Sequence, residues 1–103
     1  MASGTLGQSA PSATTNTTVY TVPAGKVAST TVAFCNRGNA AVTVRLAVCA
    51  TSTPANAEYI EYDASIPPNG TLERSGIIAS AGKLFVVYVA LATVSVNIYG
   101  YEE

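Results

Sequence analysis

Ionised side chains are scarce in this sequence. Only 11% of its 103 residues are charged, and the formal net charge is −1, whereas an ordinary soluble domain is about 25% charged. A free monomer with so little charge has weak electrostatic protection against association. A neutral surface rich in Ser and Thr that is soluble by itself stays one explanation. Coverage by other copies or by a larger assembly explains more, so we expect a homo-oligomer.

Histidine is absent as well, which removes the commonest general base and the usual activator of Ser and Cys nucleophiles. The carboxylates that might form a glycosidase-type pair are Glu58, Glu61, Asp63 and Glu73. Glu58 and Glu61 are three positions apart, so a strand would place them on opposite faces. We therefore predict that the protein is not an enzyme and uses no cofactor.

Cysteine is limited to Cys35 and Cys49, too few for a disulfide framework and wrongly spaced for a metal site. If residues 27–50 form one hairpin, the two sulfurs lie at its opposite ends, beyond the roughly 7 Å Cα limit of a disulfide. We expect free thiols and no metal. A disulfide between subunits or across two sheets stays the alternative.

Long apolar runs and basic stripes are also missing. The longest apolar run, residues 84–92, is less than half of the roughly 20 residues that a membrane helix needs. The first residues lack the positive and apolar regions of an export signal, so we expect a protein that is made and kept in solution. The few Lys and Arg residues are scattered, so we predict neither a membrane nor a nucleic-acid partner.

The first 16 residues contain no charge, no aromatic ring and one large aliphatic side chain, Leu6. Such a segment has no core of its own to compensate for the entropy lost on ordering. We predict an extended N-terminal arm over residues 1–16. It is either a disordered tail or a segment that becomes ordered on a neighbouring subunit.

From residue 17 onward, short β-branched segments alternate with turns rich in Pro, Gly and Asn, at the spacing typical of sandwiches and barrels. We predict an all-β fold, a single antiparallel β-sandwich domain of jelly-roll type over residues 17–103. The predicted strands are residues 17–22, 27–36, 41–50, 57–62, 71–79, 84–90 and 94–101.

The third predicted strand alternates clearly, with Val42, Val44, Leu46 and Val48 on one face. A three-residue loop at 37–39 would pair this strand with the preceding one as a hairpin. The outward residues form a small, weakly polar set, which makes Thr43, Arg45 and Ala47 candidates for a contact surface.

Five tyrosines allow two interpretations: Tyr59, Tyr62, Tyr88, Tyr99 and Tyr101. They could form a stacking platform for sugars or bases. Tyrosine is also common at core edges and in protein interfaces, because it buries a large ring and keeps a wet hydroxyl. The second interpretation is the one we favour.

Short sequence segments spread over nearly the whole chain together carry a resemblance to a known family. They are Leu6-Gly7-Gln8-Ser9-Ala10-Pro11, Thr15-Asn16-Thr17, Val19-Tyr20-Thr21-Val22-Pro23-Ala24-Gly25-Lys26, Cys35-Asn36-Arg37-Gly38, Tyr59-Ile60, Tyr62-Asp63 and Ile98-Tyr99-Gly100. Together they resemble small virion structural proteins of tailed bacteriophages, of the capsid cement or decoration type. These segments cover turns and parts of strands and include no catalytic signature.

The resemblance implies a β-sandwich or jelly-roll virion protein, assembled in the cytoplasm of the host bacterium. The leading expectation is a capsid decoration protein that forms trimers and bridges subunits of the major capsid protein. A tail, neck, baseplate or fibre component is the alternative within the virion. A carbohydrate-binding receptor module that uses the tyrosines and residues 63–70 is the alternative from another class. The candidate contact residues are Leu6, Gln8, Pro11, Thr43, Arg45, Tyr99 and Tyr101.

Overall fold

The computed structural model describes residues 3–103, which form eight β-strands and one short 3-10 helix. The strands are β1 (Ser3–Ser9), β2 (Thr17–Thr21), β3 (Ala28–Asn36), β4 (Val42–Cys49), β5 (Tyr59–Ile66), β6 (Thr71–Ala79), β7 (Leu84–Val89) and β8 (Val94–Glu102). The 3-10 helix, Asn56–Glu58, lies between β4 and β5. Within the described residues, no helix has the length and apolar character required to cross a membrane.

The strands form two four-stranded antiparallel sheets. The first sheet has the order β1-β8-β3-β6, and the second has the order β2-β7-β4-β5. Among the described strands, β4 and β5 are consecutive and pair directly, while the other connections cross from one sheet to the other. This strand order is that of a jelly roll, so the predicted all-β sandwich is confirmed.

The core lies between the two sheets and follows from the two-residue period of the strands. In β3, every second side chain is buried, because successive residues of a strand point to opposite faces. The largest fully buried side chains are Phe34, Phe85, Leu46, Ile66 and Ile98. Fully burying a side chain of this kind stabilises the fold by about 1.5–3 kcal/mol.

The predicted hairpin of β3 and β4 is wrong. β3 pairs with β6 and β8, whereas β4 pairs with β5 and β7. The inward residues of the two strands, such as Phe34 and Val44, still meet the same core, but they approach it from opposite sheets. Alternation shows which face of a strand is buried and does not show whether two strands lie beside or across from each other.

The predicted N-terminal arm is not confirmed, because residues 3–9 form a strand of the chain's own sandwich. β1 pairs with β8 from Ser3 opposite Tyr101 to Ser9 opposite Val96. The pairing uses backbone hydrogen bonds, which need no apolar side chains, and Leu6 packs at the edge of the core. The prediction considered side-chain burial alone and for that reason overlooked the strand. Residues 1 and 2 of the arm lie outside the described residues.

Candidate functional site

The two outer faces of the sandwich differ in chemistry, and the candidate contact residues are divided between them. On the first sheet, Gln8 of β1 lies opposite Asn97 of β8, and its Nε2 donates a hydrogen bond of 2.7 Å to Asn97 Oδ1. Tyr99 and Tyr101 follow along the same face of β8. We call this the neutral face. Its other outward residues include Ser3, Thr5, Ser29, Thr31, Ala33, Cys35, Thr71, Glu73, Ile78 and Ser95.

Glu73 is the one charged residue among these outward residues of the neutral face. Its Oε2 accepts a hydrogen bond of 2.7 Å from the hydroxyl of Tyr99, and this bond raises the pKa of Tyr99. Large apolar groups are exposed farther along the same face, since Ile78 is 71% and Tyr101 is 42% exposed and both lie opposite Ser29. The neutral face thus combines exposed rings and aliphatic surface with a single hydrogen-bonded carboxylate.

On the second sheet, the outer face carries a cluster centred on Arg45 of β4. The Arg45 guanidinium carbon lies 4.2 Å from the ring centroid of Tyr62 and 4.6 Å from that of Tyr88. Its Nε donates a hydrogen bond of 2.7 Å to Asp63 Oδ1. This bond raises the pKa of Arg45 further, so the guanidinium stays charged and fixed between the two rings.

A small apolar cluster lies beside Arg45 on the same outer face. Ala47, Cys49 and Val86 are buried there, with Tyr59 and Leu84 packed against them. Burial raises the pKa of the Cys49 thiol, which makes this cysteine a weak nucleophile.

Tyr59 extends this packing to the Arg45 site. Its ring meets that of Tyr62 edge to face, with centroids 4.9 Å apart and an interplanar angle of 84°. We call Arg45, Tyr59, Tyr62, Asp63 and Tyr88 the aromatic cluster. Tyr62 stays 59% exposed, so a supported ring faces solvent.

An irregularity in β5 brings this cluster together. Tyr62 and Asp63 are consecutive, and consecutive strand residues normally point to opposite faces. The β4–β5 register shifts between Val44 and Leu46, and Asp63 has a φ of 53°. This bulge lets both side chains reach Arg45. Strand periodicity does not predict that these two side chains lie on one face. The one signal in the sequence is Asp63 itself, because Asp is a residue type that tolerates the left-handed conformation.

The structure brings Gln8, Tyr99 and Tyr101 together on the neutral face and places Thr43 and Arg45 on the opposite face. Leu6 is half-buried against the core. Pro11 is buried and therefore offers no surface to a partner. The five tyrosines do not form one platform, because three lie in the aromatic cluster and two on the neutral face.

Glu58 and Glu61, the remaining carboxylates of the candidate glycosidase pair, each have their own partner. Glu58 lies in the 3-10 helix and not in a strand, and its carboxylate accepts hydrogen bonds from the backbone N–H groups of Ala55 and Ala50, at 2.8 and 3.0 Å. These bonds lower the pKa of Glu58. Glu61 is paired with Arg74 at 3.3 Å, across the open side of the sandwich. Residues 3–103 contain no group of three His, Cys, Asp or Glu placed to hold a metal ion.

Both cysteines are free within the chain, as predicted. The reason differs from the hairpin argument, since Cys35 lies on the outer face of the first sheet and Cys49 on the outer face of the second, with the core between them.

The chain matches no protein-family model, no curated protein and no solved structure. Its functional interpretation therefore depends on the jelly-roll fold and on the chemistry of the two outer faces.

Proposed function

We propose that the protein is a non-enzymatic structural component of a tailed-phage particle, and specifically a capsid decoration protein that stabilises the head by bridging shell subunits. Jelly rolls recur in viral capsid domains, and the sequence segments quoted above resemble small virion proteins of tailed bacteriophages. A fold by itself does not define a function. The observation that carries the proposal is therefore the neutral face.

The composition of the neutral face favours contact with another protein. Interface cores are depleted of charged residues and enriched in Tyr, and this face combines Tyr99, Tyr101 and Ile78 with one hydrogen-bonded carboxylate. The sandwich measures 41 by 27 Å along its two longer axes. These are the dimensions of the whole sandwich, and the roughly 800 Å² per partner of a standard stable interface fits within them.

In the proposed assembly, the protein forms a trimer and the neutral face of each copy packs against the next copy. A closed trimer uses heterologous contacts, so two different surfaces of the chain meet at each interface. Within residues 6–11, along the outer edge of the first sheet, the exposed residues Gln8 and Ala10 contact the shell or a neighbour. Because each trimer engages several shell subunits, modest contacts combine into strong attachment.

The assembly is tested by the solution mass of the purified protein and of two matched variants. Ala33→Arg places a cation on the neutral face, and Thr43→Arg places the same cation on the opposite face. We expect a trimer for the unmodified protein and for Thr43→Arg, and a monomer for Ala33→Arg. A monomeric unmodified protein at working concentration would contradict the proposed assembly.

The position on the particle needs a separate experiment. Labelled protein imaged on virions, together with its addition to heads that lack it, separates a decoration role from a tail, neck, baseplate or fibre role. We expect regular labelling of the head and a higher temperature of DNA release after addition. Label confined to the tail would favour the alternative location, and its absence from virions would contradict both.

A further inference from the structure

We propose that the aromatic cluster on the second sheet is a binding site for a neutral saccharide, with Tyr62 as the stacking residue and Asp63 and Arg45 as hydrogen-bonding partners. The site uses the face opposite to the neutral face. The inference therefore does not depend on the assembly or on the virion role proposed above.

The exposed groups of the cluster match the two surfaces of a sugar ring. A pyranose presents C–H groups that pack on an aromatic ring, and hydroxyls that bind carboxylate and guanidinium groups. Tyr62 is 59% exposed, and the side chains of Asp63 and Arg45 are 47% and 25% exposed. The cluster thus offers an open ring with an acceptor and a donor beside it.

The cluster is held in place before any ligand arrives. Arg45 lies over the Tyr62 ring at 4.2 Å, and Tyr59 meets Tyr62 edge to face. Tyr59 is itself packed against buried side chains of the same sheet face. A ring supported from two sides loses little conformational entropy when it binds, and this preorganisation favours affinity.

Charge favours a neutral ligand. Arg45 and Asp63 compensate each other through a 2.7 Å ion pair, so the carboxylate of an acidic sugar would have to compete with Asp63 for the guanidinium. Single-stranded nucleic acid also stacks on aromatic rings, but it requires a positively charged groove. The cluster contains one cation and one anion and so provides no such groove.

The residues around the aromatic cluster favour a saccharide over a protein as its ligand. The exposed large aliphatic side chains of the described residues, Val27, Ile78 and Leu91, lie outside the aromatic cluster. A protein hot spot is normally enclosed by further contacts that exclude water. Beside this cluster, the next outward pair of β4 and β5 is Thr43 and Ser65, two hydroxyl residues. Jelly rolls also occur in lectins, which is a fold-level analogy and no more.

The test is a titration of the full chain, followed by amide NMR, with four probes: maltotriose, chitotriose, a galactose trisaccharide and an oligogalacturonate. We expect at least one neutral probe to shift the amides around residues 59–63, 45 and 88. Tyr62→Ala should weaken binding at least about tenfold, which corresponds to about 1.4 kcal/mol. Tyr99→Ala, which removes an exposed tyrosine from the opposite face, should leave the affinity unchanged.

A second variant separates hydrogen bonding from folding. Asp63→Asn retains the left-handed backbone, which Asn tolerates, and it should weaken binding while the unfolding midpoint stays near that of the unmodified protein. The proposal is overturned if no neutral probe shifts these amides at about 10 mM, or if Tyr99→Ala weakens binding as much as Tyr62→Ala. A preference for the oligogalacturonate would overturn the neutral ligand class.

Discussion

At the scale of the residue, one buried polar side chain, that of Asn36, holds together chain segments that are distant in sequence. Asn36 is fully buried at the end of β3. Its Nδ2 donates to the backbone oxygens of Ala40 and Ile66, at 2.8 and 3.2 Å. Its Oδ1 accepts from the Gly38 N–H and from the Thr93 hydroxyl. One amide thus joins the β3–β4 loop, the end of β5 and the β7–β8 turn.

Replacing this amide should destabilise the fold. Asn36→Ala removes a hydrogen-bond partner from buried and part-buried backbone and hydroxyl groups. Leaving such groups unpaired costs about 1–3 kcal/mol. Urea unfolding would measure the change in the free energy of unfolding. Asn97→Ala removes a hydrogen bond at the surface and should change it by no more than about 0.5 kcal/mol. Equal effects of the two substitutions would contradict the role given to Asn36.

The buried, hydrogen-bonded hydroxyl of Tyr20 should make the stability of the fold decrease at alkaline pH. Its hydroxyl donates a hydrogen bond to Glu102 Oε2, which joins β2 of the second sheet to β8 of the first. Burial raises the pKa of Tyr20 well above its ordinary value, and the hydrogen bond and charge of Glu102 add to the effect. The contribution of Tyr20 to stability is therefore fully present below pH 10, the ordinary tyrosine value. It is lost progressively above that pH, because the unfolded chain releases the proton first.

Denaturant unfolding between about pH 8 and 11 checks this expectation. Tyr20→Phe should be less stable than the unmodified protein at pH 8, because the Glu102 carboxylate loses a partner. The difference should shrink above pH 10 by up to about 1.4 kcal/mol per pH unit, the value for one proton. If both proteins lost stability in parallel as the pH rises, the assignment to Tyr20 would be wrong.

At the scale of the element, β1 is the strand least supported by side chains. Leu6 is its contribution to the edge of the core. Gly7 packs so close to β2 that a Cβ there would lie 2.5 Å from the Val19 carbonyl oxygen. Backbone pairing with β8 and close approach to β2 therefore hold β1 in place.

Deleting residues 1–9 tests whether this segment is a strand or an arm. We expect the remaining strands to fold with a free energy of unfolding lower by about 1–3 kcal/mol, from the lost contacts of Leu6 and the lost backbone hydrogen bonds. Amide hydrogen exchange in β8 should become faster, because β8 becomes an edge strand. Gly7→Val, which pushes β1 away from Val19, should act in the same direction. Unchanged stability and exchange after the deletion would favour a free arm.

At the scale of the whole molecule, low charge and two unlike faces predict an association that tolerates salt. Contacts through the neutral face would depend on apolar burial, which salt does not screen, whereas ion pairs at a surface weaken as the Debye length shortens. Sedimentation at about 0.05 and 1 M NaCl should therefore give the same oligomer mass. Dissociation at high salt would indicate that charged residues, and not the neutral face, hold the copies together.

The strand bounds show how much of the secondary structure the local sequence pattern predicts. β6 coincides with the predicted residues 71–79, and β7 and β3 differ from prediction by one residue at one end. β5 extends to Ile66, four residues beyond the predicted end. The prediction stopped before Asp63, whose residue type is frequent in turns and whose φ is positive. The strand continues because a bulge absorbs that conformation without ending the pairing.

The amino-acid sequence by itself determined the all-β class, seven of the eight strands and the buried face of β3 and β4. These properties depend on side-chain alternation, which is local along the chain. Tertiary structure alone decided the partners of each strand, the place of β1 and the meeting of Tyr62, Asp63 and Arg45. Those properties depend on backbone pairing between distant segments and on a bulge, and neither leaves a periodic trace in the order of residues.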